Sequence, residues 1–195
     1  MNRFLALPWL ALVFGAALML APSAIQATTV EAVTFEQLVK SADRIFVGEV
    51  VAIESFRADL RHGPRIRTRV TFSVSQTIRG RGVLAVLEFL GGTVGGLTLE
   101  VAGSPTFVAG EHYVVFARDG DRWVNPVVGF TQGLLRVSRD ARDGTLRVLT
   151  SERAPLAGVA AVGHSPTRVS ATAIVPMSLA SFVTEIRAEM ARQAR

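Results

Sequence analysis

Two pairs of adjacent glycines lie close together in EFLGGTVGGLTLEVAG, the stretch from Glu88 to Gly103. Dense glycines can bind a phosphate through bare backbone N–H groups, as in a P-loop, which ends in Gly-Lys-Ser/Thr and opens a helix. This stretch has no lysine and continues into LTLEV, which alternates like a strand. We therefore predict a tight connection between strands, in which glycines take positive φ or let two segments approach closely. The residues of this structural motif are Gly91, Gly92, Gly95, Gly96, Gly103, Pro105, Gly110 and Gly133.

A row of arginines is the strongest charged feature of the sequence. In RIRTRVTFSVSQTIRG, the period-two spacing of Arg65, Arg67 and Arg69 places them on one face of a predicted strand. Three guanidinium groups there could bind carboxylates or phosphates, which arginine holds bidentately. The alternative is a solvated sheet face whose charges discourage aggregation at the edge. We predict a protein or an anionic envelope component as the partner; nucleic acid is disfavoured, because no aromatic residues interleave with the arginines to stack bases.

Metal binding and nucleophilic catalysis find little support in the sequence. The histidines, His62, His112 and His164, have no H-x-x-x-H or H-E-x-x-H spacing, and the absence of cysteine excludes thiol catalysis and Cys-based zinc sites. No G-x-S-x-G motif is present, and the paired aspartates flank turns, where Asp is favoured for its bond to the backbone. We therefore expect no catalytic residues, no metal and no cofactor. A hydrolase whose triad assembles from distant residues is left open.

Residues 1–27 have the pattern of a cleaved signal peptide. A positive end with Arg3 precedes an apolar run from Phe4 to Leu20, and small residues end the segment at Ala27. An uncleaved N-terminal anchor is the alternative, since the run approaches the roughly 18 residues that span a bilayer. We predict export to the periplasm or the extracellular space, with no membrane span after signal cleavage. The formal net charge of +5 is too mild to identify a partner.

The rest of the chain has the pattern of one β domain with helical ends. A capping box at Thr34 predicts a short helix from Phe35 to Ser41, and RIFVGEVVAIESF predicts a long strand with a bulge at Gly48. About seven short strands with turn signals between them, such as Asp143-Gly144, are typical of an antiparallel sandwich or barrel. After Ser178, apolar residues recur at helical spacing. We predict a β-barrel domain at 28–150, a linker or loop at 151–177 and a docked C-terminal helix at 178–195.

Several segments together resemble a family of exported bacterial proteins of unknown function. They are SADRIFVGEVVAIES, RTRVTFSVSQTIRG, the long run that ends in GLLRV, and the closing SLASFVTEIRA. The positions that carry the resemblance are Ala42, Asp43, Gly48, Gly80, Gly91, Gly92, Gly103, Pro105, Phe107, Gly110, Glu111, Phe116, Gly129, Gln132 and Gly133. The first half of the pattern is also similar to the netrin-like and tissue-inhibitor-of-metalloproteinase class of OB-type barrels, through Gly110, Tyr113 and Phe116 in a later strand.

The resemblance implies an OB-like barrel. We accordingly predict a mainly β fold, an antiparallel OB-like barrel with a short N-terminal helix, an extra hairpin and a C-terminal helix. Asp119-Gly120-Asp121 is one hairpin signal in the sequence. Members of the netrin-like class inhibit through a disulfide-anchored N-terminal cysteine, which this chain lacks, so no inhibitory site is carried over. We predict an exported, non-enzymatic binding protein. The alternatives are an inhibitor or accessory partner of a secreted protease, which the resemblance suggests, and an unrecognised hydrolase.

Overall fold

The computed structural model describes residues 32–60, 63–120, 124–163 and 174–195, which belong to one compact unit, Glu31–Arg195. The predicted signal peptide, the histidines His62 and His164, and residues 164–173 of the predicted linker lie outside the described residues. Within the described ranges, neither helix has the length and hydropathy that crossing a bilayer requires.

Two helices and eight strands form the described part of the chain. The helices are α1 Phe35–Ser41 and α2 Leu179–Gln193; the strands are β1 Arg44–Leu60, β2 Gly63–Arg79, β3 Leu84–Leu90, β4 Gly92–Val94, β5 Leu97–Leu99, β6 His112–Ala117, β7 Leu134–Arg139 and β8 Leu146–Leu149. Six strands form one antiparallel sheet in the order β3-β2-β1-β6-β7-β8, and β4 pairs with β5 in a separate hairpin. The prediction of a mainly β, antiparallel fold with two helices is confirmed.

The sheet is not closed into a barrel, which corrects that part of the predicted fold. β3 and β8 lie at opposite ends of the strand order and do not pair with each other. Closure requires the two edge strands to pair in a register that continues the stagger of the sheet, and β3 and β8 make no such pairing. Isolated bridges from Arg147 to Ser178 and from Leu149 to Pro155 cover the outer edge of β8 instead.

The hairpin signal at Asp119-Gly120-Asp121 adds no strand in the described residues. After β6, residues 124–133 make one isolated bridge, from Ala117 to Val127, and then turns that lead into β7. Residues 121–123, which include Asp121 of the predicted turn, lie outside the described part of the chain. β6 pairs directly with β7, and the segment that contains Asp143-Gly144 joins β7 to β8.

The central strands are buried on both faces, by two separate hydrophobic clusters. On one face, Ile45 and Phe116 pack against α1 and against α2, whose Phe182 is fully buried. On the other face, Phe72 and Tyr113 meet edge to face, with ring centroids 6.4 Å apart. Side chains of β1 and β6 therefore alternate between two apolar environments, as in a strand that is buried on both sides.

β1 changes partners along its length. Its first part, from Arg44 to Glu49, lies between β2 and β6, and Val50 then exchanges backbone hydrogen bonds with Gly110 and Glu111. From residue 51 to residue 60, β1 pairs with β2 on one side, and no strand of the described residues pairs with its other side. Register shifts along β1 mark bulges, which bend a strand. The far half of the β1–β2 hairpin therefore has an open edge.

Gly133, just before β7, tests how tightly the connection from β6 to β7 is packed. A Cβ there would lie 2.5 Å from the Val128 carbonyl oxygen, and the Gly133 carbonyl accepts a hydrogen bond from Phe116 N at 2.8 Å. Gly133→Ala is expected to lower the free energy of unfolding by about 1–3 kcal/mol in urea denaturation. Gly158→Ala is the matched control, since its Cβ would meet nothing within 4 Å. Equal losses in both variants would contradict the packing argument.

Candidate functional site

A cleft of about 830 Å3 lies between the open half of the β1–β2 hairpin and the glycine-rich hairpin β4–β5. Ile53 and Ser55 of β1, Thr68 of β2 and Phe89 of β3 line its floor. Its wall is formed by the β4–β5 hairpin and the loop that follows, within residues 91–107. We call this space the hairpin cleft. Its volume is in the range of sites that hold small ligands or single side chains of a partner.

Gly91 and Gly92 bring the β4–β5 hairpin directly onto the floor of the hairpin cleft. A Cβ on Gly92 would lie 2.3 Å from Thr68 Oγ1 and 2.5 Å from Ser55 Oγ, and one on Gly91 would lie 2.9 Å from the Leu99 carbonyl oxygen. Both glycines have positive φ, 109° and 130°, which other residues rarely adopt. The Thr68 hydroxyl donates to the Gly91 carbonyl at 2.8 Å. Bare backbone and small hydroxyls therefore hold the hairpin on the sheet.

Four other glycines of the motif lie in turns or loops, whereas Gly133 is packed against Val128. Gly95 and Gly96 connect β4 to β5 with φ of 57° and 78°, and their Cβ positions meet nothing within 4 Å. Gly103 and Gly110 have φ of 77° and 84° in the loop before β6, and Pro105 of the same loop lines the hairpin cleft. The chain continues from the glycines into β5 and not into a helix, so no helix N-terminus points at them.

The hairpin cleft combines hydroxyl groups with phenyl rings. Ser55 and Ser104 supply hydroxyls, and Phe89 and Phe107 form a tilted pair with ring centroids 5.0 Å apart. The Ser104 Oγ atom is buried and has no hydrogen-bond partner in the described part of the chain. Glu100 carries the only charge among the described residues that line the cleft. Such a lining suits apolar side chains and uncharged polar groups better than a phosphate.

The open edge of β1 runs along the hairpin cleft. Ile53 and Ser55 are two positions apart, so they point to the same face, and both line the cleft. Val51 and Ile53 leave 49% and 43% of their surface exposed although both are apolar. Backbone N–H and C=O groups without a strand partner thus lie beside an apolar patch and a cavity. Sites that bind an extended peptide as an added strand have the same combination.

The predicted contact residues Arg65, Arg67 and Arg69 lie in three different environments. Arg67 is 7% exposed, and its guanidinium group donates to the Glu88 carbonyl oxygen at 3.2 Å. Arg69 donates to the Glu88 carboxylate at 2.8 and 3.0 Å, and its guanidinium carbon lies 4.7 Å from the centroid of the Phe56 ring. Arg65 is exposed. Because β3 places Glu88 opposite Arg69, the row does not form a continuous anion-binding face.

Arg65 lies at a second groove, of about 410 Å3, beside the same hairpin. We call it the arginine groove; it is lined by Arg57, Arg65, Ile66, Leu90, Leu97 and Leu99. Neither Arg57 nor Arg65 makes an ion pair with a carboxylate of the described residues. A carboxylate next to an apolar group would therefore complement the arginine groove.

Groups of three metal-binding side chains are absent from the described part of the chain. His112 lies 3.7 Å from the Glu49 carboxylate, and both side chains are about half exposed. No hydrogen bond joins His112 to a serine within the described ranges, so this pair does not continue into a triad there.

Comparison with known proteins finds no match, so a functional assignment has to rest on the geometry of the site. No protein-family model, no curated protein and no solved structure matches the chain. The resemblance to exported bacterial proteins and to netrin-like domains therefore stays a prediction from the sequence.

Gly92→Ala and Gly95→Ala compare a glycine that lies against the sheet with a glycine in an open turn. Both place a Cβ at positive φ, but only the Cβ of residue 92 would overlap Thr68 and Ser55. We expect Gly95→Ala to lower the free energy of unfolding by about 1 kcal/mol, and Gly92→Ala to lower it by roughly 1–3 kcal/mol more. Urea denaturation measures both losses. If Gly92→Ala costs no more than Gly95→Ala, the hairpin does not rest on the sheet.

Proposed function

We propose that this chain is a non-enzymatic binding protein that holds an extended polypeptide segment of another protein along the open edge of β1. The observation that carries the proposal is the edge itself, since between residues 51 and 60 β1 pairs with β2 alone in the described part of the chain. An extended backbone presents the same alternation of N–H and C=O groups as the edge. It can therefore add to the sheet as one more strand.

The hairpin cleft supplies the pocket that such a strand needs. Every second side chain of an added strand points to the face that carries Ile53 and Ser55, and therefore toward the cleft. Phe89 and Phe107 favour an apolar side chain there, and the Ser104 hydroxyl offers a hydrogen bond that no described residue takes. Backbone pairing supplies affinity in this mode of binding, and the pocket supplies selectivity.

The arginine groove favours an acidic residue in the bound segment. Arg57 lies two positions beyond Ser55 on the same face of β1, and Arg65 lines the same groove. We propose a partner segment with an apolar side chain opposite Ile53 and a carboxylate toward Arg57. We propose that Arg65 contacts the partner, as the sequence predicts. Arg69 instead forms an ion pair with Glu88 within the sheet.

Other occupants of the edge fit less well. Glu54, Arg57 and Asp59 place charges along it, and charged side chains on an edge oppose pairing between identical strands of two copies. A carbohydrate would use the hydroxyls and rings of the cleft but would leave the backbone groups of the edge to water. A polypeptide uses the edge and the cleft together.

We also propose that the protein is exported, and the only support for export is the signal-peptide pattern of residues 1–27. A relationship to the netrin-like class is likewise proposed, on the motif residues Gly110, Tyr113 and Phe116 in and beside β6, although the sheet of this chain is open. A protease inhibitor or accessory partner would be one kind of peptide-binding protein, and nothing in the described residues favours it over others. A hydrolase has no support from the geometry of His112.

Peptides displayed on phage test the proposal with a defined probe. Random segments of about ten residues, long enough to cover the open edge, are selected on the full chain, and a selected peptide is synthesised. Its binding is expected to slow amide hydrogen exchange in residues 51–60, because outward N–H groups gain partners. Failure to select any peptide, or peptides that leave exchange in these residues unchanged, would contradict the proposal.

Ile53→Lys and Val86→Lys form a matched pair for the same peptide. The two apolar strand residues are equally exposed, at 43% and 44%, but only Ile53 lines the hairpin cleft. We expect Ile53→Lys to weaken the affinity at least about tenfold, because a charge replaces an apolar contact, and Val86→Lys to leave it unchanged. Fluorescence anisotropy measures the affinities, and thermal melts verify folding. Equal affinities for both variants would rule out the hairpin cleft.

A further inference from the structure

Outside the hairpin cleft, the Glu111 carboxylate just before β6 accepts hydrogen bonds from three side chains. Tyr113 Oη donates at 2.5 Å, Arg153 Nη2 donates at 2.8 Å, and Arg136 Nη1 is the third donor. Arg136 also donates from Nη1 to Tyr113 Oη and from Nε to the Ser151 carbonyl oxygen, both at 3.0 Å. We call Glu111, Tyr113, Arg136 and Arg153 the Glu111 cluster.

The Glu111 cluster carries more positive than negative charge. One carboxylate faces two guanidinium groups. Burial lowers the pKa of Arg136, and the charge of Arg153 lowers it further. Burial raises the pKa of Tyr113, whose hydroxyl therefore stays a hydrogen-bond donor at neutral pH.

Three members of the cluster, Glu111, Arg136 and Arg153, line a pocket of about 410 Å3 at the ends of β6, β7 and β8. Arg139 and His112 line the same pocket, and Glu111 supplies its only carboxylate among the described residues. One water takes up roughly 30 Å3 of liquid, so the pocket has room for a small anion together with several waters. The pocket is thus concave, accessible and rich in guanidinium groups.

Arg153 holds a strained conformation at the mouth of this pocket. Its φ is 65°, in the left-handed region that side chains rarely adopt, and its N–H donates to the Thr150 carbonyl at 2.9 Å in the turn after β8. Arg153 Nε and Nη1, and Arg136 Nη2, have no acceptor among the described residues. Strained residues of this kind persist where the surrounding structure holds them, and they concentrate at ligand sites.

We propose that the Glu111 cluster is a binding site for a small oxyanion, a ligand that carries a phosphate or a carboxylate group. The remaining donors of Arg136 and Arg153 bind two oxygens of the anion, and Glu111 holds both guanidinium groups in position. Arginine suits this role because its planar group donates to two oxygens of one phosphate or carboxylate. The residues of this site are not those that line the hairpin cleft, so each proposal can fail without the other.

Titration of the full chain with inorganic phosphate and, separately, with succinate tests the site and tells the two groups apart. Arg153→Gly removes one guanidinium group and relieves the positive φ, so this variant is expected to melt no lower than the parent chain. Its affinity for the preferred anion should fall at least about tenfold in isothermal titration calorimetry at low ionic strength. Tighter binding of phosphate assigns a phosphate ligand, and tighter binding of succinate a carboxylate ligand.

Arg142→Gln is the matched control, because it removes one positive charge from the exposed turn between β7 and β8, outside the pocket. Retained anion affinity in Arg142→Gln, together with its loss in Arg153→Gly, supports the site. Equal losses in both variants would show that only net charge matters. No saturable binding of either anion to the parent chain would show that the Glu111 cluster is a structural ion network. Both of these results overturn the proposal.

Discussion

The difference in length between β1 and its neighbour β6 determines how the rest of this structure is arranged. β1 has 17 residues and pairs with β6 only from Arg44 to Glu49. At about 3.3 Å per residue, the remainder of β1 extends roughly 36 Å beyond that pairing. The first part of β1 can be buried between two hydrophobic clusters. Within the described residues, the far part has no second neighbouring strand and no second hydrophobic cluster, so it needs another cover and keeps an open edge.

The β4–β5 hairpin provides that cover on one face. Its strands have three residues each, too few to be stable as an isolated hairpin, so the hairpin depends on its contact with the sheet. That contact is possible because Gly92 lacks the side chain that would overlap Ser55 and Thr68. The hairpin covers the face without filling it, and the space that remains is the hairpin cleft. The glycines thus create a cavity through backbone approach, and the chain continues from them into β5.

Strand pairing also decides which arginines are available to a ligand. Arg67 and Arg69 stand on one face of β2, but Glu88 of β3 reaches that face and binds them. Two other arginines, distant in sequence, meet at Glu111, where one carboxylate does not balance them. Whether a row of arginines is free to bind an anion therefore depends on the carboxylates of the adjacent strand. Positive charge is in excess where two arginines share a single carboxylate, as Arg136 and Arg153 share Glu111.

Local interactions made the secondary structure predictable from the sequence. Thr34 and Gln37 form both bonds of the capping box, and β1 shifts register beside Gly48, because both features depend on residues close together in the chain. The period of two placed the arginines on one strand face, and it indicated an antiparallel, mainly β fold. It could not indicate closure, since a barrel and an open sheet have the same alternation and differ only in how strand lengths and stagger match.

The sequence by itself therefore determined most of the elements, the strand face of the arginines and the glycine-rich connection after β3. Tertiary structure alone decided the open edge, the hairpin cleft and the Glu111 cluster. Glu88 and Arg69 are 19 positions apart, and Glu111 and Arg153 are 42 apart, so these pairs exist only through strand register and the turn after β8. The periodicity of the sequence does not predict such contacts. It indicates which side chains of one helix or strand share a face, but not which side chains of a neighbouring element they contact.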